Sequence, residues 1–170
     1  DTYFYENKKK IIDKLRKSYE LTENPKLLFD SKKYNIVIHR RCTRVIYDNN
    51  KQKVWLSNNF YIEQIKKIVK EKSDKDIQFW IFSDGEKQNF PEFQFLENND
   101  AIIKNQNDLT DVKIKMMLKT NSLQTLHHFV KADMFIMDKS SFSYIGGLLN
   151  SNKVLYSPYW DKGYEDWVNI

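Results

Sequence analysis

The sequence MFIMDKSSFSYIGGLLNSNKVLY at residues 134–156 predicts a strand, a helix and a second strand in succession. Met134–Met137 is a short apolar run that is typical of a buried strand, and Phe142–Leu149 has the length and composition of a helix. Lys153–Tyr156 is the next strand. Parallel strands need a crossover connection of this kind. The stretch therefore predicts two parallel neighbours in a sheet.

The same alternation extends upstream. In chain order, the hydrophobic spacing predicts a helix over residues 4–21, a strand over 34–38, a helix over 60–71, strands over 77–82 and 112–118, and a helix that begins at Asn121. The expected apolar faces are those of Phe4, Ile11, Ile12, Leu15 and Tyr19 in the first helix and of Leu123, Leu126 and Val130 in the last. Phe90–Leu96 is ambiguous between strand and loop.

Strands alternating with helices favour the α/β class, with a Rossmann-like, mostly parallel sheet and helices on both faces. No linker or internal repeat interrupts the alternation, so residues 1–170 are predicted to form one domain. Of the 170 residues 41% are hydrophobic and 15% aromatic, which excludes a disordered chain.

Cys42 is the single cysteine, so no intrachain disulfide is expected. A reducing compartment such as the cytoplasm fits best, and the Golgi lumen fits if the chain is part of a larger eukaryotic enzyme. No apolar run approaches the ~20 residues of a membrane span. The net charge of +5 favours an anionic ligand. Because no basic stripe or nucleic-acid motif occurs, nucleic acid is not an expected partner. The positive charge makes an RNA-binding α/β domain the weakest of three hypotheses for the function, after the two given below.

Charged and polar residues follow three predicted strands. They are His39-Arg40-Arg41 after the first, Ser83-Asp84-Gly85 after the second and Lys139-Ser140-Ser141 before the helix at 142. Ligands of open α/β sheets bind outside the carboxyl ends of the strands. Arginine offers a planar fork of donors, and a helix N-terminus offers free amides, so the sequence predicts a diphosphate site here.

Arg40 and Arg41 are successive residues at a strand end. Their side chains are expected to point in opposite directions, so that only one of them reaches the ligand. The alternative is that an arginine pairs with an acid such as Asp84.

Two of these segments resemble those of the fucosyltransferases with the GT-B fold, which include the α1,2-, α1,6- and protein O-fucosyltransferases. Ile36–Arg41 is similar to their His-x-Arg strand end, and Lys139–Tyr144, followed by Gly146–Leu149, is similar to their Ser-Ser-Phe-Ser element. Ala132-Asp133 and Ser83-Asp84 fit the same pattern. The resemblance covers roughly residues 34–157, whereas Cys42-Thr43-Arg44 stands where Arg-Gly-Asp is common.

The resemblance implies a site for a nucleotide-sugar donor, with GDP-fucose favoured and no metal cofactor. Arg41 would stabilise the β-phosphate as it leaves, and Asp84 is a catalytic candidate by location alone. The residues expected to bind the nucleotide sugar are His39, Arg40, Arg41, Thr125, His127, Lys139, Ser140, Ser141, Phe142 and Ser143. Thr125 falls where relatives often carry an aspartate. His127 and His128 are adjacent on a helix, so we expect one to be packed and the other to face the nucleotide.

The sequence therefore predicts a metal-independent glycosyltransferase domain that transfers a sugar to a hydroxyl of a glycan or protein acceptor. GT-B enzymes use two such domains, so the acceptor-binding half is expected either elsewhere in a longer polypeptide or in reduced form. The isolated domain is then able to bind the donor without turning it over. The alternative is a non-catalytic module that binds nucleotides or glycans. Three other features have structural interpretations: Asp74-Lys75-Asp76 as a solvated turn, Gly146-Gly147 as a close helix–sheet approach, and the aromatic residues from 156 to 167 as a docked C-terminal segment.

Overall fold

The computed structural model describes residues 2–42, 56–103, 111–159 and 163–170, with side chains from Asn7 onward. Its helices are α1 (Thr2–Glu20), α2 (Asn58–Glu71), α3 (Ser122–Lys131) and α4 (Ser141–Leu149). Its strands are β1 (Tyr34–Arg40), β2 (Ile77–Ser83), β3 (Gln94–Phe95), β4 (Asp100–Ile103), β5 (Val112–Leu118), β6 (Met134–Ile136), β7 (Lys153–Tyr156) and β8 (Val168–Asn169). Two short 3₁₀ turns lie at Lys87–Asn89 and Glu97–Asn99.

All eight described strands form one sheet in the order β3-β4-β5-β2-β1-β6-β7-β8. In this order the five pairings from β5-β2 to β7-β8 are parallel. The pairings β3-β4 and β4-β5 are antiparallel and form one edge of the sheet. The predicted α/β class with a mostly parallel sheet is confirmed. Outward from β1 the parallel strands run in chain order on each side, through β2 to β5 and through β6 to β8. The order therefore reverses between β1 and β6, and such switch points are where open α/β sheets bind ligands.

Alternate residues of the central strands face opposite layers. Ile36 and Ile38 of β1 pack in the core that includes α2 residues such as Ile65. Val37 lies in the other core, with Phe129 of α3 and a contribution from α1. Because side chains alternate along a strand, this parity also decides which layer each residue at the end of β1 faces. The predicted helices on both faces are confirmed.

Some predicted apolar positions lie in solvent. Leu123, expected on the apolar face of α3, is 66% exposed, because it lies in the first turn beside the capping residue Asn121. Ile11 and Leu15 of α1 are 59% and 50% exposed. Helix α1 is held instead by buried Ile12 and by Arg16, which donates hydrogen bonds to backbone carbonyls at the end of α4.

The paired glycines of α4 permit close packing on both of its sides. A Cβ at Gly147 would lie 2.8 Å from Sδ of Met137 on the sheet side, and one at Gly146 would lie 2.8 Å from Cδ2 of Phe129 in α3. The predicted helix–sheet approach is therefore found at Gly147, with a helix–helix approach beside it. Tyr164 and Trp167 are buried in the same core, as a docked C-terminal segment requires, whereas residue 160 lies outside the described residues.

Within the described residues, no helix is long and apolar enough to cross a membrane.

Candidate functional site at the carboxyl ends of the strands

A cleft of about 700 Å³ opens at the carboxyl ends of β1, β2 and β5. Its described lining residues come from the ends of these strands and from the first turns of the helices that follow β5 and β6. They are His39, Arg41, Ser83, Asp84, Lys119, Thr120, Ser122, Thr125, Ser141 and Phe142. Arg41 and Ser141, which the sequence placed in one site, line the same cleft.

Two helix N-termini face this cleft. Ser122 in the first turn of α3 and Ser141 in the first turn of α4 both line it. In α4 the hydroxyl of Ser140 accepts from the amide of Ser143, so the amides of Ser141 and Phe142 precede the first groups that the helix itself satisfies. These amides, with the helix dipole, favour a negatively charged ligand.

Arg41 lies just beyond the end of β1 and is fixed through its backbone. Its amide donates to Oδ2 of Asp138, at 2.5 Å. Nε of its guanidinium lies 3.9 Å from Oδ2 of Asp84, so the predicted alternative of pairing with Asp84 is present as a loose ion pair at the cleft wall. The other oxygen of Asp84, Oδ1, accepts from the amide of Cys42 at 2.6 Å.

Lys119 adds a second cation that the sequence analysis missed. It follows β5 with a left-handed backbone, φ 53°, and its amide donates to the carbonyl of Ser83 at 2.8 Å. Its ammonium group pairs with Glu86 in the loop after β2. The signal was available, because β5 was predicted and the residues that follow a parallel strand lie at the ligand-binding edge.

His39 lies on the α3–α4 side of β1, because it is two residues after Val37 and alternate side chains of a strand share a face. It is 6% exposed, and its ring packs 4.9 Å from that of Phe129 and 5.8 Å from that of Phe142, measured between centroids. Burial lowers the pKa of His39 from 6.5 to about 3, a change that Arg41 and Arg40 favour and Asp84 opposes. The imidazole is therefore neutral at physiological pH.

Arg40, which was also expected to bind the ligand, faces the opposite layer and is not among the described residues that line the cleft. Its Nε donates to Oδ1 of Asn58 in α2 at 3.0 Å, and its guanidinium lies 3.8 Å from Asp138. Both side chains of this ion pair are 5% exposed. Arg40 borders a separate cavity of about 300 Å³ on the α2 side, together with Cys42 and Asn58.

Three further residues expected to touch the ligand are not among the described residues that line the cleft. Ser140 and Ser143 are buried beneath its wall and bonded to each other, so they support the cleft without lining it. Lys139 lies in the same turn, and its amide donates to Oδ1 of Asp138 at 2.6 Å. The cause is the capping geometry, which turns the two serine hydroxyls inward.

His127 also lies outside the cleft, against the prediction that it faces the nucleotide. Its Nδ1 is 2.8 Å from the hydroxyl of Tyr19 in α1. His128 is packed as well, since its Nε2 accepts from the amide of Leu28 and its ring contacts Phe29. Desolvation lowers the pKa of both imidazoles. Helix α3 therefore contributes Ser122 and Thr125 to the cleft and keeps its histidines in the packing layer.

Asp138 is a further residue whose position sequence reasoning missed. Its carboxylate is buried after β6 and accepts from the amides of Arg41 and Lys139. It thus joins the end of β1 to the turn that begins α4. No local pattern marks this role, because it depends on β6 lying beside β1.

Within the part of the chain that the structure describes, no three His, Cys, Asp or Glu side chains converge in a group suited to a metal ion. Thr43 and Arg44, where the sequence departs from the fucosyltransferase pattern, lie outside the described residues. Comparisons with protein-family models, curated proteins and solved structures found no match to this chain.

Proposed function

We propose that the cleft binds the diphosphate of a nucleotide sugar and that the domain serves in transfer of the sugar to a glycan or protein hydroxyl. One observation carries the proposal: Arg41, Lys119 and the first turns of α3 and α4 line a single cleft at the strand ends. The preference for GDP-fucose rests on the resemblance of the His39–Arg41 and Ser140–Ser143 segments to fucosyltransferases.

The electrostatics of the cleft favour a dianionic ligand. Two cationic side chains and two helix N-termini face the same space. Asp84 is the carboxylate among the described lining residues, and Glu86 pairs with Lys119 from the loop after β2. Fixed donors and dipoles of this kind stabilise charge without having to reorganise when it develops. A volume of about 700 Å³ lies within the range of small-molecule sites.

In the proposed reaction, the bond between the anomeric carbon and the β-phosphate oxygen breaks, and its electron pair stays on that oxygen. The acceptor hydroxyl oxygen bonds to the anomeric carbon, and its proton passes to the carboxylate of Asp84 and from there to solvent. Arg41 neutralises the charge that develops on the departing diphosphate, an effect worth several kcal/mol in comparable sites. The amides of Ser141 and Phe142 bind phosphate oxygens beside it.

The contacts of Asp84 favour a second candidate function, a non-catalytic binding module. This residue is the one carboxylate among the described lining residues, and it already accepts from the Cys42 amide and pairs with Arg41. These contacts suit a carboxylate that orients Arg41 at least as well as one that removes the proton from the acceptor hydroxyl. Release of free GDP from GDP-fucose in the presence of a glycan acceptor supports the transferase, whereas GDP binding without turnover supports the module.

A thermal-shift panel of GDP, UDP, dTDP and CDP, with GMP as the monophosphate control, tests the proposal. GDP is expected to raise the melting temperature without added magnesium, by an amount equivalent to about 2.7 kcal/mol at a hundredfold excess over Kd. GMP should give a much smaller shift, because it lacks the second phosphate. Equal shifts with GMP and GDP, or no shift with any diphosphate, would contradict a diphosphate site.

A further inference from the structure

A chain of hydroxyl groups runs beneath the cleft to His39. The hydroxyl of Ser140 donates to Oγ of Ser143 at 3.1 Å, and the amide of Asp138 donates to the same oxygen at 3.2 Å. Oγ of Ser143 in turn contacts Nδ1 of His39. Both serines are almost fully buried, so water does not compete for these groups.

These contacts decide where the proton of the imidazole lies. A hydroxyl has one hydrogen to donate and two lone pairs to accept with. Both lone pairs of Ser143 Oγ are used, by the Asp138 amide and the Ser140 hydroxyl, so its own hydrogen is donated to Nδ1 of His39. Nδ1 is then an acceptor, and a neutral ring in this state carries its hydrogen on Nε2.

We propose that Ser143 is a positioning residue that holds His39 as the neutral Nε2–H tautomer, so that His39 donates a hydrogen bond to a phosphate oxygen in the cleft. The phosphate contact rests on the proposed function, whereas the tautomer follows from the buried contacts alone. His39 thus binds as a neutral donor beside the cationic Arg41, and it does not serve as a base.

The charges around His39 agree with a neutral ring. Burial is the largest cause of the lowered pKa of His39, about 3, and Arg41 and Arg40 act in the same direction. Asp84, which follows β2, favours the imidazolium but is outweighed. The other groups packed against the ring are uncharged, namely Phe129 of α3 and Phe142 and Ser143 of α4.

The same hydroxyls also cap α4. Ser140 Oγ accepts from the amide of Ser143 while its hydrogen goes to Ser143 Oγ. The donor on His39 and the free amides at Ser141 and Phe142 are therefore held by one buried hydrogen-bond network. The sequence analysis expected both serines to bind the ligand. It could not predict this network, because the network depends on β1 lying beside β6 and α4.

Nitrogen-15 NMR of the histidine rings tests the tautomer directly. His39 of the wild type is expected to show a protonated Nε2 and an unprotonated Nδ1 from pH 5 to pH 8. Ser143→Ala removes the donor to Nδ1 and should give a mixture of both neutral tautomers. Ser57→Ala is the matched control, because it removes a capping hydroxyl from α2 and leaves the contacts of His39, Ser140 and Ser143 unchanged. A protonated Nδ1 in the wild type, or an unchanged ring in Ser143→Ala, would overturn the proposal.

Inorganic pyrophosphate tests the contact with phosphate. Its addition should move the Nε2–H signal of His39, and His39→Ala should weaken pyrophosphate binding by about 10- to 100-fold, as for loss of a hydrogen bond to a charged group. His39→Gln supplies an amide donor and should recover most of the affinity. An Nε2–H tautomer whose signal ignores bound pyrophosphate would refute the contact, and failure of pyrophosphate and GDP to bind at all would instead refute the proposed function.

Discussion

The backbone amide of Arg41 donates a hydrogen bond to Oδ2 of Asp138, 2.5 Å away, across the point where the strand order reverses. The second oxygen of the same carboxylate accepts from the amide of Lys139. One buried side chain therefore sets both halves of the proposed diphosphate site, the end of β1 and the turn into α4. The backbone of each half is thus fixed by the same buried carboxylate.

Asp138→Asn should impair both stability and ligand binding. An asparagine amide places N–H groups where one of the two backbone amides now finds an acceptor. It also removes the negative charge that lies beside the buried guanidinium of Arg40. We expect a loss of about 3–5 kcal/mol in the free energy of unfolding, measured by urea denaturation, and weaker GDP binding in the folded protein. Asp133→Asn is the matched control, because Asp133 accepts from the Asn35 amide at the opposite end of β1. Equal GDP affinity in the two variants would show that Asp138 does not set the site.

The two adjacent arginines should separate stability from binding. Arg40 is buried against Asn58 and Asp138, so Arg40→Met is expected to cost about 3–5 kcal/mol in unfolding free energy. Arg41→Met should cost less than about 1 kcal/mol, because its ion pair with Asp84 is partly exposed and loose. Denaturation curves of both variants measure this difference, and the reverse ranking would mean that the assignment of the two side chains to opposite layers is wrong.

His39 should make the protein less stable in mild acid. Its pKa is lowered by burial to about 3 in the fold, whereas the unfolded chain binds the proton near pH 6.5. Above pH 6.5 the ring is neutral in both states, so its burial does not lower the free energy of unfolding. As the pH falls from 6.5 toward 3, the unfolded chain binds the proton and the free energy of unfolding decreases. Between pH 7 and pH 5 the wild type should lose about 2 kcal/mol more unfolding free energy than His39→Gln. An equal pH dependence of the two proteins would contradict a buried, neutral His39.

Gly147→Ala should destabilise α4 despite the higher helix propensity of alanine. The added Cβ would lie 2.8 Å from Sδ of Met137 and 3.0 Å from Cζ2 of Trp167. Overpacking of this kind costs about 1–3 kcal/mol, which thermal or chemical denaturation resolves. Ile145→Ala, at a half-exposed position of the same helix, should stay within about 0.5 kcal/mol of the wild type. A stabilised Gly147→Ala protein would show that the helix can move away from the sheet.

The regular elements were predictable because their signals are local. β-Branched and aromatic runs such as Ile77–Phe82 form central strands, and the alternation with helices implies parallel pairing. Strand β3 lies within Phe90–Leu96, which was ambiguous between strand and loop. Strands β4 and β8 were not predicted, because they stand outside the strand–helix alternation and pair with neighbours already in place. Leu123, Ile11 and Leu15 were placed inward on periodicity alone, although capping and helix docking decide their exposure.

The candidate site was predictable only as far as its strand ends. Arg41 and Ser141 were placed together because the carboxyl ends of parallel strands share an edge. The inward turn of Ser140 and Ser143 and the role of Asp138 depend on contacts between β1, β6 and α4, which no spacing along the chain encodes. The alternation of side chains along β1 predicted that Arg40 and Arg41 point to opposite layers. It does not by itself say which of the two faces the cleft.

A GDP titration by isothermal calorimetry, without added metal, measures whether Arg41 binds a diphosphate in the cleft. Wild type, Arg41→Ala and Lys75→Ala are compared, the last as a control that removes an exposed cation from the turn before β2. We expect saturable, one-to-one binding to the wild type and to Lys75→Ala, and loss of that binding in Arg41→Ala with its fold intact. Undiminished GDP affinity in Arg41→Ala would show that the cleft beside Arg41 is not the diphosphate site.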